Sequence, residues 1–326
     1  MIITRSPLRI SLGGGGTDLP SYYEQHGGFV ISGAIDRYVY IVLHEPFENE
    51  IILKYSKMEV VRCAAEVNHP IIRAAMQMAS VDGRIEISSV SDIPAGSGMG
   101  SSGSFTVALV QALHALRKER VSTRTLAEEA CHIEMDLLGE PVGKQDQYIA
   151  AFGGIQAFTF HPDGKVAVEP LQLSQESLYN LEDHLILFFT GFTRSASSIL
   201  REQDCKSKQG DEAMVANLHF IKELGHQSRD AMESGDMQAL GEIMHTHWER
   251  KKSRSGAMTN RCVDAYYDLA RLNGAIGGKL LGAGGGGFLL FCVKNKANVR
   301  KALTTAGLRE VRLRFDVEGT KVLVQS

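Results

Sequence analysis

The sequence of 326 residues contains no apolar segment long enough to cross a bilayer. A membrane-spanning helix needs roughly 20 consecutive apolar residues, and every apolar run in this chain is far shorter. The first residues also lack the long apolar core of a secretory signal peptide. The sequence therefore predicts a cytoplasmic protein without a membrane partner.

Cysteine and net positive charge are scarce as well. The five cysteines are odd in number and widely spaced, and they form neither a CxxC pair nor a Cys/His cluster with zinc spacing. We expect all of them to be reduced packing residues: Cys63, Cys131, Cys205, Cys262 and Cys292. The net charge of −3 provides no basic surface for a phosphate backbone, which argues against a nucleic-acid partner.

Glycine, in contrast, is abundant. Many of the 33 glycines fall in three widely separated loops, Leu8–Asp18, Pro94–Ser104 and Lys279–Phe288. Because glycine costs backbone entropy, a folded chain keeps it where it needs positive φ or a close approach of its amides to a ligand. Three such loops in one chain predict an enzyme that binds a nucleotide and a second substrate together.

The middle loop has the features of a phosphate-binding turn. Its serines precede an apolar helical segment. Hydroxyls can donate to phosphate oxygens or coordinate Mg²⁺, and consecutive amides and the helix dipole stabilise the negative charge of a phosphate. A P-loop is excluded because no GxxxxGK string occurs. Gly98–Gly103 matches the GxGxxG dinucleotide pattern, but the repeated βαβ units of that fold are missing. A Rossmann oxidoreductase and a flexible Gly-Ser turn stay as alternatives.

The three loops together resemble the motifs of the galactokinase, homoserine kinase, mevalonate kinase and phosphomevalonate kinase (GHMP) superfamily. The middle loop is similar to its nucleotide motif PxxxGLGSS, with Met99 in place of leucine. The first and third loops resemble its substrate motif and its C-terminal glycine motif, in the same order. With the segment HWERKKSRSGAMTN (His247–Asn260), they look like the sugar 1-kinases. Among these the likeness is strongest to D-glycero-D-manno-heptose 7-phosphate kinases, with L-fucose kinases as relatives.

This resemblance implies an α+β fold of two domains with the active site in the cleft between them. Residues 1–176 would form an N-terminal domain with a mixed sheet and the nucleotide loop. Residues 177–326 would form a C-terminal domain with a ferredoxin-like sheet and helices. The polar stretch Ser174–Asp183 marks the expected boundary. The tail alternates strand, strand, helix, strand, strand, which indicates an antiparallel sheet with helices on one face.

The resemblance also assigns the nucleotide and metal sites. Nucleotide binding falls on the middle loop, at Pro94, Gly96, Ser97, Gly98, Met99, Gly100, Ser101, Ser102, Gly103 and Ser104. Glu134 stands where relatives place a Mg²⁺-binding glutamate, with Ser101 or Ser102 as the second protein ligand. Other acids share the predicted helix of Glu134, so a solvated acidic face is the competing interpretation.

Asp146 and Arg9 are the predicted catalytic pair. Asp146 aligns with the aspartate that is proposed, in the kinases it resembles, to accept the hydroxyl proton. Arg9 matches the cationic partner of that aspartate and would stabilise charge on the transferring group. The alternatives are a solvated loop carboxylate and an ordinary ion-paired arginine. Two charged residues are sufficient for this role, because phosphoryl transfer depends mainly on positioning and charge neutralisation.

Candidate substrate residues come from the first and third loops and from basic positions in the second half. Asp18 corresponds to a carboxylate that hydrogen-bonds sugar hydroxyls in relatives. A basic cluster over residues 245–254 offers partners for a substrate phosphate. A metal site at His245 and His247 is not expected, because residues two apart face different sides of a helix. The candidates are Gly15, Gly16, Thr17, Asp18, Arg194, Lys251, Arg254, Gly284 and Gly285.

The implied reaction uses ATP and Mg²⁺ to phosphorylate the anomeric hydroxyl of D-glycero-D-manno-heptose 7-phosphate. A free-sugar 1-kinase of the L-fucose type and a non-catalytic nucleotide-binding protein are the alternatives. The predicted partner is a small sugar or sugar phosphate, and a homodimer is left open.

Overall fold

The computed structural model describes residues 1–192 and 197–326. The strands are β1 (Ile2–Gly13), β2 (Gly28–His44), β3 (Ile51–Lys54), β4 (Met58–Val61), β5 (Ile85–Ser91), β6 (Ile155–Phe160), β7 (Val166–Pro170), β8 (Leu185–Phe189), β9 (Ala275–Leu280), β10 (Phe288–Val293), β11 (Arg309–Val311) and β12 (Lys321–Gln325). The helices are α1 (Pro20–His26), α2 (Pro70–Met78), α3 (Ser101–Leu116), α4 (Thr123–Cys131), α5 (Gln145–Phe152), α6 (Gln175–His184), α7 (Ser197–Lys208), α8 (Glu212–Ser234), α9 (Met237–Lys252), α10 (Arg261–Leu272) and α11 (Lys296–Thr305). Within the described ranges, no helix combines the length and the apolar character that a membrane crossing requires.

The first sheet has eight strands and is organised around the long strand β2. Along β2, one edge pairs with β1, while the other edge pairs first with β6 and then with β5. The main path runs β12-β1-β2-β5-β3-β4, and β7 extends the branch at β6. Since β3 runs parallel to β5 and the other pairs are antiparallel, the sheet is mixed, as predicted.

Helix α3 is the central helix on one face of this sheet. Together with α5 it packs on β1 and β2, and α2 and α4 pack against it. Its residues Val107, Leu109 and Leu113 are buried in the same cluster as Ile41 and Leu43 of β2. A helix that is apolar on most sides belongs in the core. This packing fixes the direction of α3 and so positions the glycine loop that precedes it.

The second sheet is antiparallel, in the order β11-β8-β10-β9. Strand β8, the β9–β10 hairpin, α11 and β11 follow the ferredoxin-like succession. Helix α9 lies along β9, and α8 contacts α9 as well as β1 and β2. One apolar cluster contains Leu12 and Phe29 of the first sheet together with Met232, Leu240 and Phe288 of the second half. The α+β class is confirmed, and a shared core joins the two sheets.

The polar stretch at the expected domain boundary forms a helix. The segment after Ser174 forms α6, because the Ser174 hydroxyl caps it by accepting from the Ser177 amide at 3.0 Å and because Leu181 is buried. Strand β12 then returns to the first sheet, where Gln325 pairs with Ile2. Residues 177–326 are therefore not confined to the second sheet, and the division at residue 176 stays a prediction.

Candidate active site

The three glycine loops meet in one cleft of about 410 Å³. All three contribute to its lining, at Gly15, Gly16, Gly98, Gly100, Gly282 and Gly284. The middle and third loops touch backbone to backbone, because a Cβ on Gly98 would lie 2.7 Å from the carbonyl oxygen of Leu281. Gly98 also has a φ of +81°, which other residues rarely adopt. Glycine is what allows these distant segments to share a cleft.

The middle loop leads directly into the N-terminus of α3. Gly100 is in the left-handed conformation with φ of +72°, and the helix begins at Ser101. Ser101 and Ser102 both line the cleft from the first helical turn. The free amides and the dipole of that turn favour a bound anion. This end of the cleft can therefore hold the phosphates of a nucleotide.

Five residues of the middle loop that were predicted to bind the nucleotide do not line the cleft: Pro94, Ser97, Met99, Gly103 and Ser104. Pro94 is exposed, whereas Ser97 and Met99 are fully buried. The Ser104 hydroxyl donates to the carbonyl oxygen of Pro7 at 2.7 Å. Met99 and Ser104 thus attach the loop to β1. Gly96, Gly98, Gly100, Ser101 and Ser102 line the cleft.

Arg9 and Asp146 form a bidentate ion pair. Nε and Nη2 of Arg9 donate to Oδ1 and Oδ2 of Asp146 at 2.7 and 2.9 Å. Arg9 also donates to the carbonyl oxygen of Gly98, and its amide donates to the carbonyl oxygen of Met99 at 3.0 Å. The Arg9 side chain is almost buried, but that of Asp146 keeps 30% of its surface exposed. Asp146 is thus oriented by the arginine and still accessible from the cleft.

Asp18 lies close to this pair and is held by backbone amides. Its Oδ1 accepts from the Gly16 amide at 3.1 Å, and its Oδ2 accepts from the Gln145 amide at 3.3 Å. Burial raises the pKa of the Asp18 carboxyl, and the negative charge of Asp146 raises it further. Asp18 lines the cleft, where a sugar hydroxyl can reach it.

Glu134 and Ser102 form the candidate metal site. Glu134 falls in a π-helical turn, His132–Leu137, a distortion often found at functional sites. Its Oε2 accepts from the Ser102 hydroxyl at 2.6 Å, and its Oε1 accepts from the Gln147 amide group at 3.0 Å. Burial raises the pKa of this carboxyl, whose hydrogen-bond partners among the described residues are uncharged.

This donor set fits Mg²⁺ bound mainly through a nucleotide. Glu134 is 2% exposed, and a buried carboxylate beside a hydroxyl suits a hard cation. The described part of the chain contains no group of three or more His, Cys, Asp or Glu that could hold a metal. Most ligand positions would therefore fall to phosphate and water oxygens, as is usual for Mg²⁺.

Lys251 and Arg254 reach the cleft but are largely engaged with the protein. The Lys251 ammonium donates to the carbonyl oxygens of Leu280 and Gly282 in the third loop. Arg254 donates to the carbonyl oxygen of Gly15 at 3.3 Å and to other polar side chains nearby. Both cations thus tie a glycine loop to the end of α9.

The other predicted substrate residues differ in position. Gly284 lines the cleft, whereas the Gly285 amide donates to the Met258 carbonyl oxygen at 2.9 Å. Thr17 is fully buried, and its hydroxyl donates to backbone carbonyls within and beside the first loop. Arg194 lies outside the described residues.

Sequence reasoning missed Lys279 as a site residue and included His247 only as a member of the basic cluster over residues 245–254. Both line the cleft, with 2% and 3% of their surfaces exposed. Burial lowers the pKa of Lys279 to about 7, with further lowering by Arg9 and Arg254. Burial likewise holds the pKa of His247 well below its usual value. A signal existed, since Lys279 interrupts an otherwise apolar and glycine-rich strand.

Comparison with known proteins agrees with this geometry. The family model for the GHMP kinases N terminal domain matches residues 59–154, and that for the GHMP kinases C terminal region matches residues 228–307. A D-glycero-alpha-D-manno-heptose 7-phosphate kinase of Campylobacter jejuni is 31% identical, with 98% of each chain aligned. A bifunctional fucokinase/GDP-fucose pyrophosphorylase of Arabidopsis thaliana is 26% identical, over 96% of this chain and 31% of that protein.

A solved structure extends the similarity to the whole fold. A D-glycero-D-manno-heptose 1-phosphate kinase from Bacteriodes thetaiotaomicron superposes with a TM-score of 0.81 at 25% identity, covering 99% of both chains. The chain belongs to the GHMP kinase family. Within that family it is an ATP-dependent sugar kinase.

Proposed function

We propose that this kinase transfers the γ-phosphoryl group of ATP to the anomeric hydroxyl of D-glycero-D-manno-heptose 7-phosphate, which gives the 1,7-bisphosphate. One observation carries the proposal: the Arg9–Asp146 pair and a cluster of buried cations line the same cleft. The Arg9–Asp146 pair can then act on the reactive hydroxyl of an acceptor, and the cations can bind a phosphate that the same acceptor carries. The full-length similarity to the Campylobacter jejuni enzyme supports this substrate class.

In the proposed reaction the nucleotide phosphates lie against the amides at the start of α3 and the hydroxyls of Ser101 and Ser102. Asp146 accepts the proton of the anomeric hydroxyl as the oxygen attacks the γ-phosphorus. The bond from that phosphorus to the bridging oxygen of ADP breaks. Arg9, held against Asp146, stabilises the negative charge on the transferred group.

Substrate and metal contacts complete the proposal. Glu134, with Ser102 or Ser101, would hold Mg²⁺, which supplies positive charge to the β- and γ-phosphate oxygens. Asp18 accepts hydrogen bonds from sugar hydroxyls, and the remaining substrate roles go to the first and third loops and to basic side chains. These proposed contacts are Gly15, Gly16, Thr17, Arg194, Lys251, Arg254, Gly284 and Gly285.

Incubation of the purified protein with Mg-ATP and a panel of sugars and sugar phosphates tests the proposal. We expect ADP and an equimolar anomeric phosphate from heptose 7-phosphate, with the position identified by phosphorus NMR. A reaction without sugar measures background hydrolysis of ATP. The proposal fails if no sugar or sugar phosphate on the panel yields ADP above that background.

A free-sugar 1-kinase of the L-fucose type is the second candidate, because the Arabidopsis fucokinase aligns over almost the whole chain. Turnover of heptose 7-phosphate, dephosphorylated heptose and L-fucose, measured side by side, separates the two. Retained turnover after removal of the 7-phosphate favours the free-sugar kinase. A cytoplasmic location and the oligomeric state stay predictions.

A further inference from the structure

Lys279 is the most deeply buried of the described cations that line the cleft. It belongs to β9, whose residues are all buried, and only 2% of its surface is exposed. Across residues 1–192 and 197–326, its ammonium makes no hydrogen bond or ion pair. An ammonium in this position costs desolvation energy unless an anion compensates it. The cleft that Lys279 lines is the place from which that anion can come.

The charged groups that act on Lys279 are all basic. The charges of Arg9 and Arg254 lower the pKa of Lys279. The charge of Lys279 in turn lowers the pKa values of Lys251 and His247. No carboxylate of the described part of the chain contributes to the pKa shift of Lys279. Within the described residues, Asp146 pairs with Arg9 and Asp18 acts on Arg254, but only cations act on Lys279 itself, which favours an anionic ligand at this lysine.

The neighbouring cations have defined structural partners. Arg9 forms an ion pair with Asp146. Lys251 donates to carbonyl oxygens of the third loop, and Arg254 donates to the carbonyl oxygen of Gly15. Lys279 differs from these cations because it has no such partner within the described residues. Its donors are free for a ligand.

We propose that Lys279 is the direct contact for the phosphate that the acceptor sugar carries, and so a specificity-determining residue. This inference rests on the proposed function. The nucleotide phosphates already have a site at the N-terminus of α3. Among the cations that act with Lys279, Arg9 contacts the middle loop and Asp146, whereas Arg254 is bonded to the first loop and Lys251 to the third. The first loop also presents Asp18 to the sugar. A phosphate dianion there satisfies the ammonium and is itself held by a charge-assisted hydrogen bond.

Kinetics of three variants test this role. Lys279→Met removes the charge at similar length, Lys279→Arg restores a cation, and Lys294→Met is a matched control at an exposed lysine. We expect Lys279→Met to raise KM for the sugar phosphate about 10- to 100-fold, as for a lost hydrogen bond to a charged group. KM for the dephosphorylated sugar should change less than about twofold, and Lys279→Arg should recover part of the loss.

Two kinetic results would overturn the assignment. An equal loss with the phosphorylated and the dephosphorylated sugar would place Lys279 at the transferred phosphoryl group or in the support of the fold. A fall in kcat with no change in KM would mean that Lys279 acts only in the transition state.

A binding measurement keeps this test separate from that of the overall function. Inorganic phosphate is titrated calorimetrically into the protein with saturating ADP, so that the nucleotide site is occupied. Lys279→Met should weaken phosphate binding at least about tenfold, and Lys294→Met should leave it unchanged. If the wild-type protein phosphorylates no sugar phosphate but this difference is found, the proposed substrate is wrong and the anion site stands. If the sugar phosphate is turned over and Lys279→Met binds phosphate normally, only the Lys279 assignment fails.

Discussion

At the residue scale, Arg9 and Asp146 combine orientation with access. The bidentate geometry leaves the carboxylate little freedom, yet a third of its surface stays open to the cleft. Nearby, Asp18 is fixed by two amides, so that two carboxylates face the same space with different partners. Asp146 is paired with a cation and suits proton acceptance, whereas Asp18 suits recognition of hydroxyls.

Asp146→Asn tests the proton transfer. We expect kcat to fall about 10²- to 10⁴-fold, the usual contribution of a positioned general base. KM for ATP should change little, because other residues build the phosphate site, and the asparagine oxygen can still accept from Arg9. Steady-state kinetics measures both values, with Asp268→Asn on the exposed face of α10 as the control. Full turnover by Asp146→Asn would remove the carboxylate from the mechanism.

Lys279 also predicts a dependence of stability on pH. Its pKa is about 7 in the folded protein against the ordinary value of 10.5, mainly because of burial and then because of Arg9 and Arg254; Lys251 and His247 face it as well. The unfolded chain binds this proton more tightly, so the unliganded protein loses stability as pH falls from about 10.5 to about 7.

We therefore expect Lys279→Met to raise the unfolding temperature of the unliganded protein, most at or below about pH 7 and least near about pH 10. Thermal unfolding monitored by circular dichroism across this pH range measures the difference from wild type. A variant that is less stable at every pH would show that the lysine supports the fold.

At the element scale, the active site depends on contact between loops that lie almost 200 residues apart. Gly98 and Leu281 meet at backbone distance, and Arg9 bonds to the same middle loop through both its guanidinium and its amide. Helix α3 holds one side of this junction because its apolar surface is packed into the first sheet. Strand β9 and the end of α9 hold the other side.

Gly98→Ala tests that junction. The added Cβ would lie 2.7 Å from the Leu281 carbonyl oxygen, so the middle and third loops must separate. Gly235→Ala is the matched control, since its φ is +74° and, apart from the adjoining residues of the chain, no described atom lies within 4 Å of the new Cβ. The control should lose about 1–2 kcal/mol of unfolding free energy from the left-handed backbone alone. Gly98→Ala should lose more and should also raise KM for ATP, whereas equal losses in denaturant unfolding would contradict the contact.

At the scale of the whole molecule, the two halves of the chain complete each other. Strand β12 covers the edge of β1, and α8 packs on β1 and β2. The shared apolar cluster includes Leu12 and Phe29 from the first sheet and Met232 from α8. Cutting the chain between the halves exposes both a strand edge and an apolar face.

Residues 1–176 expressed alone should therefore lack a cooperative thermal transition or should aggregate, although they contain the nucleotide loop. Circular dichroism melting and size-exclusion chromatography, compared with the full chain, measure this. A sharp, reversible transition of the fragment would show that the N-terminal region is an independent domain in the sense predicted from the sequence.

The sequence by itself determined what depends on neighbouring residues. The glycine loops and the α+β class follow from local backbone preference and periodicity, and the resemblance to GHMP kinases rests on the same motifs. A helix was also expected after the serines of the middle loop, but α3 already begins at Ser101. The helix α6 was missed because its mostly solvated surface gives it a polar composition, and only Leu181 is buried. The pairing of Arg9 with Asp146 was predicted because both residues belong to motifs.

Only the tertiary structure decided what depends on distant partners. The pairing of β12 with β1, the engagement of Lys251 and Arg254 with backbone carbonyls, and the burial of Lys279 all join segments far apart in the chain. The sequence does not distinguish a basic residue that is bonded to the protein from one that is available to bind a ligand. The desolvation and hydrogen bonding that distinguish the two arise only when the chain is packed.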